Sequence, residues 1–365
     1  MIGIADTKLT EAEIGAAVEV LKSGMLRQGP QVASFEKEFG RFVGARHAIA
    51  NVNGSTALHI AFADFLEPGD EVLVPSFTFI STATMVIAAG GVPIMCDVDP
   101  ATWTIDLADA ESRVTERTRA IVPVHLFGNV CDIEAVQDLA GRHNLKIVWD
   151  AAQAHGATYD GHGVGGFGDY VTYSFYPSKN MFVGEGGVTC TQNADSDRQL
   201  RLLREHGMPE RYLHTVLGYN YRMTDITAAI GREQLKRLPA MLDRRRKNAD
   251  RLLAGLAGTP GLTLPIIAPK AGHAWHQFCV LVDEAAFGRS RDGLSEFLRD
   301  NGVGSAVHYP RGLHQQPVFI ERYGEMSLPV TEDLAARILA LPVHHGLSDS
   351  DIDRVVEAVR IGTTR

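Results

Sequence analysis

The chain contains no uninterrupted run of the roughly 18 apolar residues that a bilayer-spanning helix needs. Its most apolar window, residues 82–96, is too short and carries Gly90, Gly91 and Pro93, so no transmembrane helix is expected. Residues 1–10 lack a basic segment followed by an apolar one, so no secretory signal is expected either. Positive charge is in deficit: 35 Lys and Arg stand against 44 Asp and Glu, for a net charge of −9. That balance argues against non-specific nucleic-acid binding, which needs a basic footprint. Cysteine is scarce. The four residues, Cys96, Cys131, Cys190 and Cys279, are far apart and form no C-x-x-C pair. They read as structural thiols in a reducing cytoplasm, and no zinc site is expected. His344-His345 has no carboxylate or cysteine at ligand spacing, so no metal role is expected there. Internal repeats and low-complexity segments are absent.

What is present suits a globular enzyme-sized protein. The chain has 365 residues, 45% hydrophobic and 22% charged, enough for a large core in one two-lobed domain or two domains. β-like runs fall at residues 47–51, 71–75, 92–98, 120–126, 146–149, 170–175 and 188–191. Most are separated by stretches of helical spacing, such as residues 56–65, 80–89 and 133–143. Strands alternating with helices predict an α/β fold with a mostly parallel seven-stranded sheet covered on both faces. A helix is expected over 224–238 with Thr224 as its cap, then an interruption at Pro239, then a charged helix over 241–256. The basic run Arg244, Arg245, Arg246 and Lys247 reads as a solvated face of that second helix. The predicted division is a large domain over 1–238 and a smaller α+β domain over 239–365.

In parallel α/β sheets, ligands bind beyond the carboxyl ends of the strands. Four features fall there. Asn53-Gly54-Ser55-Thr56 joins a strand to a helix. Ser55 or Thr56 can cap that helix, and its exposed N–H groups attract phosphate. Asp150 ends the strand at 146–149 and is followed by Gln153. A carboxylate there needs a cationic partner, such as a protonated pyridine nitrogen, or serves as an N-cap. Phe79 follows another strand and either stacks on a flat ring or joins the core. Ser174 ends a strand five residues before Lys179, which lies in a turn punctuated by Pro177, Gly184, Gly186 and Gly187. Lys179 is either a solvated loop residue or a nucleophilic amine of the kind that forms Schiff bases. One further motif is set aside. Residues 163–168 spell G-x-G-x-x-G, but they precede a strand rather than following one, so a turn is expected instead of a dinucleotide site.

The chain resembles the DegT/DnrJ/EryC1/StrS family of pyridoxal phosphate (PLP)-dependent sugar aminotransferases. The likeness is carried by NGSTALHIA from Asn53, GDEVLVPSFTFISTA from Gly69, DAAQAHGATYDG from Asp150, SFYPSKNMFVGEGG from Ser174 and GYNYRMTDITAAIG from Gly218. It implies PLP fold type I, the aspartate-aminotransferase-like architecture. It implies that Lys179 is the Schiff-base lysine and proton shuttle, Asp150 the partner of the pyridinium, and Phe79 the stacking ring. Gln153 would contact the ring oxygen, while Ser174 with Gly54, Ser55 and Thr56 would hold the phosphate. Asn220 would reach the phosphate from the partner subunit of a homodimer. His308 and Tyr309 would lie near the sugar. The implied substrates are an amino-acid donor, L-glutamate, and a nucleotide-linked keto sugar; a keto-cyclitol acceptor or a PLP-binding non-transaminase is the alternative. Y-P-S-K resembles members that aminate C3 of the sugar and G-E-G-G those that aminate C4, so the carbon stays open.

Overall fold

Seven strands carry the large lobe: β1 (His47–Asn51), β2 (Glu71–Pro75), β3 (Val92–Cys96), β4 (Thr118–Ile121), β5 (Lys146–Asp150), β6 (Tyr170–Ser174) and β7 (Gly187–Thr191). In space they run β1-β7-β6-β5-β4-β2-β3. The pairs β6–β5, β5–β4, β4–β2 and β2–β3 are parallel, and β7 is antiparallel to both its neighbours. The sheet is thus the expected mostly parallel one. Its inner strands are continuous apolar runs because helices cover both faces: Val72, Leu73 and Val74 are all fully buried. The structure, a computed structural model, describes residues 1–363. Among those residues, no helix is long and apolar enough to cross a membrane.

Helices α1 (Glu11–Ser23), α2 (Pro30–Val43), α3 (Gly54–Ala63) and α4 (Ser81–Ala88) precede or alternate with the first strands. The strand expected over 120–126 is shorter and begins earlier. Pro123 has no N–H for the ladder, and the chain then turns tightly, with Phe127 at φ 58° and Gly128 at φ 94°. The cap of α3 is Asn53, whose side chain accepts from Thr56 N at 2.9 Å, rather than Ser55 or Thr56. The glycines at 163–168 do form a turn. A Cβ on Gly163 would sit 2.5 Å from Val43 O, and one on Gly168 2.5 Å from Trp149 Nε1. Gly163 lets backbone pack on backbone at the end of α2, and Gly168 makes room for the Trp149 indole.

Pro239 does not interrupt the chain's longest helix, Asp225–Leu256, which runs unbroken for 32 residues. A mid-helix proline costs about 3 kcal/mol. Packing outweighs that here, because α1, α2 and the helix Asp349–Ile361 all lie against this one. Leu238 and Met241 join the core under the large sheet, and Ala249, Leu252 and Leu256 join that of the second lobe. The basic run is not a solvated face throughout. Arg245 is 4% exposed and donates to Trp275 O at 3.0 Å and His276 O at 3.3 Å, because helical spacing turns it inward. The second lobe is built on the antiparallel strands β8 (Leu262–Thr263), β9 (Phe278–Val282) and β10 (Ile338–Leu341).

Candidate active site

Strand register assembles the site. Gly187 on β7 lies opposite Asn51 on β1 and opposite Ser174 on β6, while Asp150 on β5 lies opposite Thr172. The Asn53 turn, Ser174 and Asp150 therefore meet at one end of the strands, although about 120 residues of sequence separate Asn53 from Ser174. They border a cleft of about 650 Å³ that also takes in Phe79, Gln153 and Lys179.

At one end of the cleft the helix α3 presents its N-terminus. Asn53 engages Thr56 N, and Thr56 Oγ1 turns back to Asn53 O at 2.9 Å. Among the described residues, the N–H groups of Gly54 and Ser55 have no protein acceptor. Gly54 is required for the close approach of α3 to β6, since a Cβ there would lie 2.6 Å from Ser174 Cβ and 3.0 Å from Ser174 Oγ. Gly187 has no more room, because its Cβ would collide with the Asn53 carbonyl. The result is a bare cradle of N–H groups beside one serine hydroxyl, suited to a phosphate.

Asp150 is 4% exposed. Its carboxylate accepts from Thr82 Oγ1 at 2.8 Å and from Ala152 N at 3.1 Å. Burial raises its pKa above the usual carboxyl value despite those two bonds and the charge of Lys179. Lys179 is only half-buried as a residue, but its amine is desolvated. Desolvation lowers its pKa from 10.5 to about 8, and the charge of Asp150 offsets only part of that. No hydrogen bond from another described residue holds the amine. The chemistry available is a nucleophilic amine that is largely neutral above about pH 8, sharing the cleft with a buried carboxylate that no cation among the described residues contacts.

The opposite wall comes from the second lobe and bears His276, Gln277, His308 and Tyr309. Gln153 bridges the lobes: its Oε1 accepts from Phe127 N at 2.7 Å, and its Nε2 donates to Tyr309 OH at 3.0 Å. Asn180 Nδ2 donates to Ala274 O at 2.8 Å, and Arg245 grips the next two carbonyls, so the segment carrying His276 is tied down on two sides. Burial holds His276 well below the ordinary histidine value. Phe79 is 55% exposed on the cleft, its ring 6.3 Å from that of Tyr309. An exposed aromatic on the wall of a cleft offers a stacking face.

The model of the DegT/DnrJ/EryC1/StrS aminotransferase family matches residues 7–360. The chain belongs to this family. It is 38% identical over 364 residues to the spore coat polysaccharide biosynthesis protein SpsC of Bacillus subtilis (strain 168), a match covering 95% of this chain and 93% of that one. Among solved structures it resembles S. venezuelae DesV in complex with a ketimine intermediate, at 37% identity and a TM-score of 0.93, with 97% and 94% of the two chains covered. It also resembles DesI in the presence of its TDP-sugar product, at 32% identity and a TM-score of 0.91, with 100% and 93% covered. The protein is therefore a PLP-dependent aminotransferase of PLP fold type I.

The residues of this aminotransferase fit the cofactor. The cradle at Gly54 and Ser55 suits its phosphate, Asp150 lacks the cation that a protonated ring nitrogen provides, and Lys179 offers a free amine. Of the residues expected from sequence, Gly54, Ser55, Phe79, Asp150, Gln153, Ser174, Lys179, His308 and Tyr309 line the cleft. Thr56 stands behind the turn with its hydroxyl on Asn53, and Asn220 is exposed outside the cleft of its own chain. Sequence reasoning missed Thr82, His276 and Gln277. Thr82 sits in the first turn of α4, which follows β2, yet it serves Asp150 at the end of β5, and no motif in the sequence marks that pairing. A second polar set, Ser76, His314 and Glu332, has the connectivity of nucleophile, base and acid, at 2.7 Å and 3.2 Å. Ser76 is fully buried and does not line the cleft, so this set is a staple between lobes and offers no nucleophile. No group of three or more His, Cys, Asp or Glu residues able to hold a metal ion occurs among the described residues.

Proposed function

We propose that the protein moves an amino group from L-glutamate to a keto group of a nucleotide-linked deoxy sugar, as a cytoplasmic homodimer. The observation that carries the reading is the desolvated Lys179 amine sharing one cleft with the buried Asp150 carboxylate and the α3 cradle. Support for the acceptor comes from relatives: DesI was solved with a TDP-sugar product, and SpsC is named for polysaccharide biosynthesis.

When bound, PLP supplies a carbon that exchanges amines and a ring that withdraws electrons. The N–H groups of Gly54 and Ser55, with the Ser174 hydroxyl, would hold its phosphate, and Thr56 keeps Asn53 in place behind them. Asp150 would pair with the ring nitrogen and keep it protonated. Phe79 would cover a ring face. Gln153 spends its oxygen on Phe127 N and one N–H on Tyr309, which leaves its other N–H as the donor it would offer to the ring oxygen. Lys179 would carry the cofactor, and its freed amine would take the proton from the donor carbon that bears nitrogen and give one to the acceptor carbon. It accepts a proton only when neutral, which its lowered basicity favours. His308 and Tyr309 contact the sugar. Asn220, exposed in its own chain, reaches the phosphate of a second copy.

The test is a panel of TDP- and UDP-linked 3-keto and 4-keto hexoses, with a keto-inositol included, incubated with L-glutamate. Formation of 2-oxoglutarate that depends on a keto sugar is expected. A protein that takes up PLP yet forms no 2-oxoglutarate with any acceptor would refute the proposal; conversion of the keto-inositol alone would move it to cyclitols.

A further inference from the structure

Gln277, on the cleft wall, and Cys279, in the core beyond it, have no role in the chemistry above, yet Gln277 contacts a residue that does. Gln277 Nε2 lies 3.2 Å from His308 Nδ1. Cys279 Sγ lies 3.7 Å from Gln277 Oε1. Cys279 sits on β9 in a core with Phe77, Leu281 and Ile338. Burial pushes its thiol well above the usual value, so the sulfur keeps its proton. The Gln277 backbone is fixed as well, its N–H donating to Phe127 O at 3.2 Å.

These contacts have a direction. A protonated thiol donates to an amide oxygen more readily than its sulfur accepts from an amide nitrogen, and the oxygen has lone pairs to receive it. With the Gln277 oxygen turned to Cys279, its NH₂ group faces His308. That group only donates, so His308 Nδ1 meets it as a lone pair. A neutral imidazole with a lone pair at Nδ1 carries its proton at Nε2. Burial, with the charge of Lys179, holds His308 below the ordinary histidine value and so favours the neutral ring.

We propose that Gln277, oriented by Cys279, is a positioning residue that fixes His308 as the Nε2–H tautomer, so that this wall of the cleft presents a hydrogen-bond donor to an oxygen of the acceptor sugar. The inference rests on the sugar-facing role proposed for His308. A donor at this point selects a carbonyl or ether oxygen, or a hydroxyl acting as acceptor, and disfavours an ammonium.

The test uses holoenzyme labelled with ¹⁵N-histidine, with His308 assigned by comparison with His308→Asn. Two-bond ¹H–¹⁵N spectra distinguish the two tautomers. The wild type should show His308 protonated at Nε2. Gln277→Glu, which places an acceptor beside Nδ1, should move the proton to Nδ1. With TDP-4-keto-6-deoxyglucose as acceptor, the same change should raise the acceptor KM about tenfold more than the KM for L-glutamate, as expected for one lost hydrogen bond of the stronger kind. Gln277→Leu, which removes the directing group without adding charge, should give a mixture of tautomers and stands in if the first variant does not fold. A wild type protonated at Nδ1, or a tautomer unmoved in both variants, would overturn the proposal. So would a tautomer switch that leaves the acceptor KM unchanged. Absence of turnover with every acceptor would instead sink the sugar reading and leave the tautomer measurement standing.

Discussion

Gly54→Ala is the sharpest test of the phosphate cradle. The new Cβ would lie 2.6 Å from Ser174 Cβ, 3.0 Å from its Oγ and 3.2 Å from its Cα. Carbon atoms pack best at about 3.5–4.0 Å, so roughly 1 Å must be recovered. Ser174 cannot give it, because it is paired in register with Gly187 at the end of β6. The start of α3 must move, against a helix whose Ala57, Ile60 and Phe62 are fully buried. Overpacking of this kind costs about 1–3 kcal/mol. A retreat of about 1 Å also breaks a hydrogen bond from the cradle to the phosphate. A lost bond to a charged group is worth about 1.5–3 kcal/mol, so the Kd for PLP should rise about tenfold to a hundredfold. The assay is a PLP titration of cofactor-free protein, read by visible absorption, with thermal unfolding alongside. Gly15→Ala is the control, since nothing lies within 4 Å of a Cβ at that helical position. Unchanged PLP affinity and an unchanged Tm in Gly54→Ala would refute the reasoning.

Three further outcomes are expected. The rate at which cofactor-free protein forms an imine with PLP should rise with pH and level off near the Lys179 value of about 8; stopped-flow traces still climbing at pH 10 would contradict the desolvated amine. Asp150→Asn should raise the Tm of the cofactor-free protein at pH 7.5, yet lower turnover of the loaded enzyme about a hundredfold. The sign follows from burial, which raises the Asp150 pKa in the folded chain. The folded chain therefore binds the extra proton in the window between the two values, and stability falls as pH rises through it. The advantage of the variant should vanish below the free-carboxyl value of about 3.9, as thermal scans across pH would show. Arg245→Met should destabilise the protein by about 1–3 kcal/mol for each of the Trp275 and His276 carbonyls left without a donor, measured by denaturant unfolding; a change within about 0.5 kcal/mol would show that neither bond matters.

The sheet was legible because its strands are buried on both faces and so appear as short apolar blocks. Ends were harder. The strand at Thr118–Ile121 was misplaced because the φ values that turn the chain at Phe127 and Gly128 leave no mark in hydropathy. Asp150, Ser174 and Gly54 could be found because each stands at a strand end, where the topology puts ligands. His276 and Gln277 could not, since they come from the other lobe about 100 residues past Lys179 and follow no motif of their own. Arg245 was hidden inside a run of four basic residues, where composition overrode helical phase. Pro239 misled for a related reason: local propensity marks a break, and packing on both sides of the helix overrules it.

That unbroken helix has a consequence for how the protein can be cut and recombined. At 1.5 Å per residue its 32 residues form a beam about 48 Å long, and its two ends belong to different cores. A fragment ending at Leu238 would forfeit Met241 from the core beneath the large sheet. A fragment starting at Pro239 would begin in mid-turn and carry Arg245 without the upstream half of its helix. The two lobes are therefore poor units for exchange between family members. Chimaeras should tolerate a junction in the loop after Leu256 far better than one at the proline that looks, on paper, like the seam.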